Sequence, residues 1–320
     1  MIERYLTFRL LRVYVTLVQT GSISETARQL HLTQPTVSIQ LKKLQETVGQ
    51  TLYIFKQQKF VLTEAGNALY LSCQRIFACL DEFNAQLTDI KAGHSGHLKI
   101  AMVNTAQYIL PRLIGPFQAL YPEIEITLEI GNREQVLQRF ERGLDDLYVF
   151  SHPPSLEHAI AEPFLANPLV LVADKNHALS SRSNIKASDL VEHRFLMREQ
   201  GSATRMMFDS FLQSKSIAPA HMQQLSSNEA IKVGISSGMG IGMLSQHVLD
   251  LQNSNLKVLS VDGLPLVNHW YFIARNDRYM PKTALKFLSY CQTSVTDILG
   301  KPWQGELKGK IVDFFTSESQ

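Results

Sequence analysis

The sequence holds little that would anchor it in a membrane, staple it with disulfides or build a reactive centre. Its three cysteines, Cys73, Cys79 and Cys291, are spread over 320 residues, which makes neither a disulfide framework nor a metal motif. They are expected to be small apolar residues of a reduced compartment. No run approaches the ~20 consecutive apolar residues of a bilayer span. The opening MIERYLTFRLLRVYV carries charge through its apolar part, unlike a secretory leader. A cytoplasmic protein without membrane attachment is expected. There is no G-x-S-x-G elbow, no H-E-x-x-H and no close pair of metal-ligand histidines. No base can be paired with a nucleophile, so no catalytic and no metal residue is assigned. GISSGMGIGML lacks the full dinucleotide-binding order, and its Gly238 and Gly240 predict a helix-to-strand turn.

The apolar fraction of 45% and charged fraction of 19% are ordinary for a globular protein, and the length suits two or three domains. The net charge of +2 is unevenly placed. Residues 1–60 carry eight Lys/Arg against three acids, a balance of +5, and the remainder carries 23 against 26, a balance of −3. A basic head on a mildly acidic body points to a polyanionic partner for the head.

Within that head, Leu10, Val13, Leu17 and Val18 repeat at helical spacing up to Thr20-Gly21. Ser22 and Glu25 form an S-x-x-E capping box for a second helix, whose Ala27 and Leu30 face inward. Thr33 caps a third helix with Gln34-Pro35 in its first turn. There Val37, Leu41, Leu44 and Val48 share one face, while Ile39 stands opposite, among Ser38, Lys42 and Lys43. Helix, short turn, helix is the arrangement that lays its second helix in a DNA major groove. An outward isoleucine in that position could meet a thymine methyl. TLYIFKQQKFVLT follows as a hairpin whose turn, with Lys56 and Lys59, reads as a basic wing for phosphates or the minor groove. Thr63 then caps a long helix. Its Leu69, Cys73, Ile76, Leu80, Phe83 and Leu87, continued by Ile90, advance in alternating steps of four and three. Such a seam needs a partner, and the simplest is a second copy of the chain. Lys91 to Gly96 is expected to be a hinge.

Beyond residue 97, strand-like runs alternate with helical patterns, which predicts an α/β body with largely parallel sheets, in two lobes that the chain crosses between. Ligands of such sheets gather at strand carboxyl ends. Those ends carry Asn104 and Thr105, then Ser151 and His152, then a turn from Gln200 through Gly201, Ser202, Thr204 and Arg205 that opens a helix. Its free N–H groups suit a carboxylate or phosphate. Residues 301–320 suit either a packed or a loose tail.

TARQLHLTQPTVSIQLKKLQETVGQTLY and VLTEAG strongly resemble the DNA-binding region of LysR-type transcriptional regulators. VNTAQYILPRL, LEIGNREQVLQRF, MREQGSATR, SSNEAIK and GLPLVNHWYF are similar to the branch that controls carbon-fixation (RuBisCO) operons. The resemblance implies a winged helix-turn-helix head, a linker helix and an effector domain built like a periplasmic binding protein. It implies DNA contacts from Gln34, Pro35, Thr36 and Ser38, beside Thr33, Ile39, Lys42, Lys43, Lys56 and Lys59. It implies a cleft lined by Asn104, Thr105, Ser151, His152, Arg198, Gly201, Ser202, Thr204 and Asn228. The branch responds to phosphorylated metabolites and NADPH and usually activates, so a small anionic effector is expected and no cofactor. Double-stranded DNA, a homodimer through the linker helix, a tetramer and RNA polymerase are the implied partners. Where that branch commonly has Gly-Arg-Pro-Pro, this chain reads Ser151-His152-Pro153-Pro154, after an unusual Asp145-Asp146 pair, so one fixed positive charge is missing.

The expected organisation is a DNA-binding domain over 1–62, a linker helix and hinge over 63–93, an effector domain over 94–305 and a tail over 306–320. Lobe I takes about 97–165 plus 270–305, and lobe II about 166–269. The rival classes are a cytoplasmic small-molecule-binding protein and an α/β enzyme with an appended helical domain. The charge of the head argues against the first, and the missing catalytic pair against the second.

Overall fold

The computed structural model describes residues 5–56, 59–91, 95–153, 155–250, 255–300 and 303–317. Packing divides the chain into two units, residues up to Asn84 and, a short turn at 142–144 apart, residues from Ala85 onward.

In the first unit, side-chain caps mark each helix start. Thr7 accepts from Leu10 N ahead of α1 (Phe8–Thr20), Ser22 from Glu25 N ahead of α2 (Ile23–Gln29), and Thr33 from Thr36 N ahead of α3 (Gln34–Val48). The reciprocal half of the predicted capping box is replaced: Glu25 instead takes Arg28 with both carboxylate oxygens, at 2.6 and 2.9 Å. Gly21 and Gly49 end α1 and α3 at positive φ, where a Cβ would be strained. Leu10, Val13, Leu17, Ala27, Val37, Leu41 and Leu44 are buried together around Tyr14. The antiparallel hairpin β1 (Tyr53–Lys56) and β2 (Lys59–Leu62) pairs Lys56 with Lys59. The two turn glutamines, Gln57 and Gln58, lie outside the described residues.

Thr63 accepts from Gly66 N at the start of α4 (Glu64–Lys91). A Cβ on Gly66 would stand 1.8 Å from Leu52 O, so only glycine lets α4 pack against the chain entering the hairpin. Cys73, assigned to the dimer seam by its spacing, is instead fully buried in the head's own core, with Leu69 packed against it. The exposed part of the seam begins one turn later, at Ile76, Leu80, Phe83 and Leu87. The predicted hinge falls largely on Ala92, Gly93 and His94, outside the described residues.

The second unit contains two five-stranded sheets. One is ordered β4 (Ile124–Gly131), β3 (Gly96–Val103), β5 (Leu147–Phe150), β12 (His269–Arg275), β6 (Ala159–Ala166). It is covered by α5 (Leu110–Leu120), α6 (Arg133–Arg142), α9 (Lys282–Leu299) and α10 (Lys310–Ser317), and its core gathers Phe117, Phe140, Phe164, Trp270 and Phe287. The other is ordered β11 (Leu256–Val258), β7 (Leu169–Asp174), β10 (Ile241–Ser245), β8 (Arg194–Met197), β9 (His221–Gln224). It carries α7 (Ala203–Ser214) and α8 (Asn228–Ser236) over two separate apolar clusters.

The sheets are mixed rather than largely parallel. β3 pairs in parallel with β4 and β5, and β8 with β9 and β10, but β12 runs antiparallel to β5 and β6, and β7 to β10 and β11. The chain leaves the first sheet after β6 and returns only as β12, entering at the end where β6 stops, so β12 runs antiparallel to β6. At the crossing Asn167 N donates to Asn268 O at 2.7 Å, and Leu169 and Leu266 exchange N–H···O bonds. Ser245 Oγ and Asn167 Oδ1 lie 2.6 Å apart beneath this pair.

Gly240, at positive φ, joins α8 to β10, and a Cβ there would stand 2.3 Å from Arg194 O. The expected helix-to-strand turn is therefore also a close backbone approach. The tail is packed over its described part: Ile311 and Phe315 are buried, and the buried Glu162 accepts from Lys308 N and Ile311 N at the start of α10. The Asp145-Asp146 pair is structural. Asp145 holds Arg139 in a two-bond ion pair at 2.7 and 2.9 Å, and Asp146 Oδ2 accepts Lys99 N at 2.8 Å. Burial pushes the Asp146 carboxyl up to about 6.

Candidate nucleic-acid interface and ligand cleft

The outward side of α3 follows from its buried stripe. With Val37, Leu41 and Leu44 buried, Gln34, Pro35, Ser38, Ile39, Lys42 and Lys43 are exposed, and Thr36 is half-buried beside the exposed Thr33. The Thr33 and Thr36 hydroxyls lie 2.8 Å apart. Ile39 is 67% exposed. Lys42 reaches Glu46 only at 3.9 Å, with its side chain 79% exposed. Lys56 and Lys59 are exposed on the hairpin. The surface therefore offers cations and polar groups along one helix, a free apolar side chain and a basic ribbon beside it, the contact set for phosphate positioning plus base-edge readout.

In the second unit, a cleft of about 230 Å³ is lined by Val103, Asn104, Thr105, Asn132, Arg133, Ser151, Arg198, Ser202, Ala203 and Thr204. Both lobes contribute, since Asn104, Asn132 and Ser151 follow strands of the first sheet, and Arg198 and Ser202 follow β8 of the second. Six of the nine cleft residues expected from sequence line it. The other three do not. His152 is exposed, and its carbonyl is what faces the cleft cation, accepting from Arg133 Nε at 3.5 Å. Gly201 takes positive φ and shapes the turn. Asn228 is buried at the first turn of α8, where its Oδ1 accepts from Arg198 Nη1 at 2.6 Å.

Asn132, Arg133, Val103 and Ala203 were not singled out by sequence reasoning. The signal for the first two was available: they follow β4 as Asn104 follows β3, and the same strand-end rule covers them. Asn132 and Gln135 cap α6 reciprocally, at 2.8 and 2.9 Å, which fixes Arg133 at the first helical position. Ser202 occupies the N-cap position of α7 but its side chain makes no capping bond. Ser202, Ala203 and Thr204, at the start of α7, line the cleft. Tyr108 hydrogen-bonds Glu229 across the two lobes, and Lys232 pairs with Glu229 at 2.7 Å. Burial pushes the Tyr108 phenol up, and the carboxylate reinforces the shift. Among the described residues no group of three His, Cys, Asp or Glu side chains could hold a metal ion, and no helix is long and apolar enough to cross a membrane.

A helix-turn-helix with a basic wing, joined to a two-lobed α/β domain with a polar cleft, defines a DNA-binding regulator rather than an enzyme. The family model for the bacterial regulatory helix-turn-helix protein, lysR family, matches residues 8–67, and that for the LysR substrate binding domain matches residues 91–296. The chain belongs to the LysR family of transcriptional regulators. It is 40% identical over 286 residues to the HTH-type transcriptional activator CmpR of Synechocystis, covering 89% of this chain and 94% of that one. It is 35% identical over 297 residues to the RuBisCO operon transcriptional regulator of Acidithiobacillus ferrooxidans, covering 92% and 96%. Among solved structures, the CcmR regulatory domain of Synechocystis in complex with 2-PG superposes with a TM-score of 0.61 at 37% identity, over 63% of this chain and 99% of that one.

Proposed function

We propose that the chain is an effector-controlled activator of a carbon-fixation-related operon, whose cleft takes a small phosphorylated acid. The observation that carries this reading is the cleft itself, lined from both lobes by Arg133, Thr105, Ser151, Ser202 and Thr204 at the start of α7. Cations and free N–H groups converging on one small space suit an anion. The likeness to a regulatory domain solved with 2-PG supports the same chemistry.

The head reads DNA through α3, with Ile39 on a base edge and Lys42, Lys43, Lys56 and Lys59 on phosphates. Ile76, Leu80, Phe83 and Leu87 join two copies, so that paired heads meet a two-fold site. Two such dimers form the tetramer, which meets RNA polymerase in the cytoplasm. The effector acts by binding one arrangement of the lobes more tightly than another.

The test uses the full chain and DNA from upstream of a carbon-fixation operon. Thermal unfolding is followed with 2-PG, sugar phosphates, phosphoenolpyruvate, NADPH and simple carboxylates, and DNA affinity is measured with whichever ligand stabilises. A rise in unfolding temperature restricted to small phosphorylated acids, with a change in DNA affinity or footprint, is expected. No stabilisation by any of them would reject the reading.

A further inference from the structure

Two guanidinium groups border the cleft, and their surroundings differ. Arg198 is 3% exposed, and three of its five N–H groups are already engaged. Its Nε and Nη2 donate to the two carboxylate oxygens of Glu199, both at 2.8 Å, and its Nη1 donates to Asn228 Oδ1 at 2.6 Å. An anion approaching Arg198 meets a closed ion pair with little net charge. Arg133 donates Nε to the His152 carbonyl at 3.5 Å, and no carboxylate lies within ion-pair distance of it among the described residues. Its neighbour Glu134 is exposed and lies against Gly201, outside the cleft lining. Burial lowers the affinity of the Arg133 guanidinium for its proton, and no acid offsets that effect. A half-buried cation without a counter-charge is costly unless something anionic visits it.

We infer that Arg133 is the residue that holds the effector's anionic group, and that Arg198 is a positioning strut already neutralised by Glu199. This assignment rests on the anionic-effector reading of the cleft. Reaching from β8 to the first turn of α8, Arg198 fixes Asn228, next in the chain to the Glu229 that meets Tyr108 of the other lobe. Arg205 adds to the same strut, donating Nη1 to the Arg198 carbonyl at 3.1 Å. The positive charge that this chain lacks at Ser151-His152, after β5, is thereby supplied from the end of β4, on the far side of β3. With one open cation among hydroxyls and backbone amides, the site selects compact anions over extended polyanions.

Calorimetric titration of the full chain with 2-PG and with inorganic phosphate separates the two arginines. Arg133→Gln is expected to weaken 2-PG binding about 30-fold or more, the order seen when one partner of a desolvated charge pair is removed. Without ligand, its unfolding temperature should be no lower than that of the wild type, because the change removes an uncompensated half-buried cation. Arg133→Lys, which keeps the charge, should retain most of the binding, and Glu199→Gln, which frees Arg198, should strengthen it. Arg133→Gln within threefold of wild type overturns the assignment, as does equal loss in the Lys and Gln variants. Glu199→Gln weakening binding as much as Arg133→Gln overturns the role given to Arg198. A wild type that binds neither probe overturns the anionic-effector reading itself, a result distinct from the other three.

Discussion

The head surface and the body cleft both present positive charge, in opposite physical settings. On α3 and the hairpin, lysines stand in water, with Lys42 79% exposed and free to move. In the cleft, the open cation Arg133 is half-buried, and Arg198 beside it is 3% exposed and locked by three hydrogen bonds. Exposed cations attract any polyanion by counterion release and carry little information. Half-buried ones admit only what fits, because an unmatched anion gains little and loses its water. The protein thus separates affinity for a polymer from discrimination among small molecules by burial, not by charge count.

Salt is the strongest way to break that contrast. With six to ten phosphate contacts, raising salt from 50 to 200 mM should cost DNA binding roughly 10³–10⁵-fold. In the same range 2-PG binding should fall by only about threefold, because buried charges are poorly screened. Anisotropy and calorimetry on one preparation would check this, and parallel slopes would erase the distinction.

Burial also loads an acid. The fold raises Asp146 from 3.8 to about 6, so between those values the folded state keeps a proton that the unfolded chain has released. Stability from this group is therefore present below about pH 4 and lost as pH rises through 6. Asp146→Asn should gain on the order of 1–3 kcal/mol relative to wild type at pH 7.5 and little at pH 4. Urea unfolding at the two pH values measures it, and a constant difference would contradict the assigned cause.

The smallest effect sharpens the head. Ile39→Ala should lose about 1 kcal/mol on specific DNA and almost nothing on random DNA. Lys42→Ala should weaken both alike and lower the salt slope by roughly one. Equal losses for Ile39→Ala on the two DNAs would remove its base contact.

Local signals made the head legible. Ser22 and Thr33 announced their helices, and the spacing of Val37, Leu41 and Leu44 put Ile39 outside. Periodicity could not say which neighbour a stripe meets, and so Cys73 was given to a partner when its own head covers it. In the body, strand β6 escaped detection because Pro163 interrupts it; the strand survives at a sheet edge, with an irregular register opposite Trp270 and Tyr271, where a missing N–H is tolerated. The strand run of β12 was legible, but its antiparallel direction was not, because direction depends on where the chain re-enters, which no local pattern records. The strand-end rule located five cleft residues, and the resemblance added Arg198. Neither could tell an occupied guanidinium from an open one, because Asn228 reaches Arg198 only through the tertiary fold and adjacency alone does not make the two-bond pair with Glu199.

The paired crossing at Asn167 and Asn268 has a mechanical meaning. Two chain segments bonded side by side, with Ser245 fastened beneath, resist sliding and stretching but can twist about their common line. In the proposed reading, a ligand in the cleft would shift the lobes by turning them about this line, and the DNA-reading heads would receive that turn through the chain that joins them to the body.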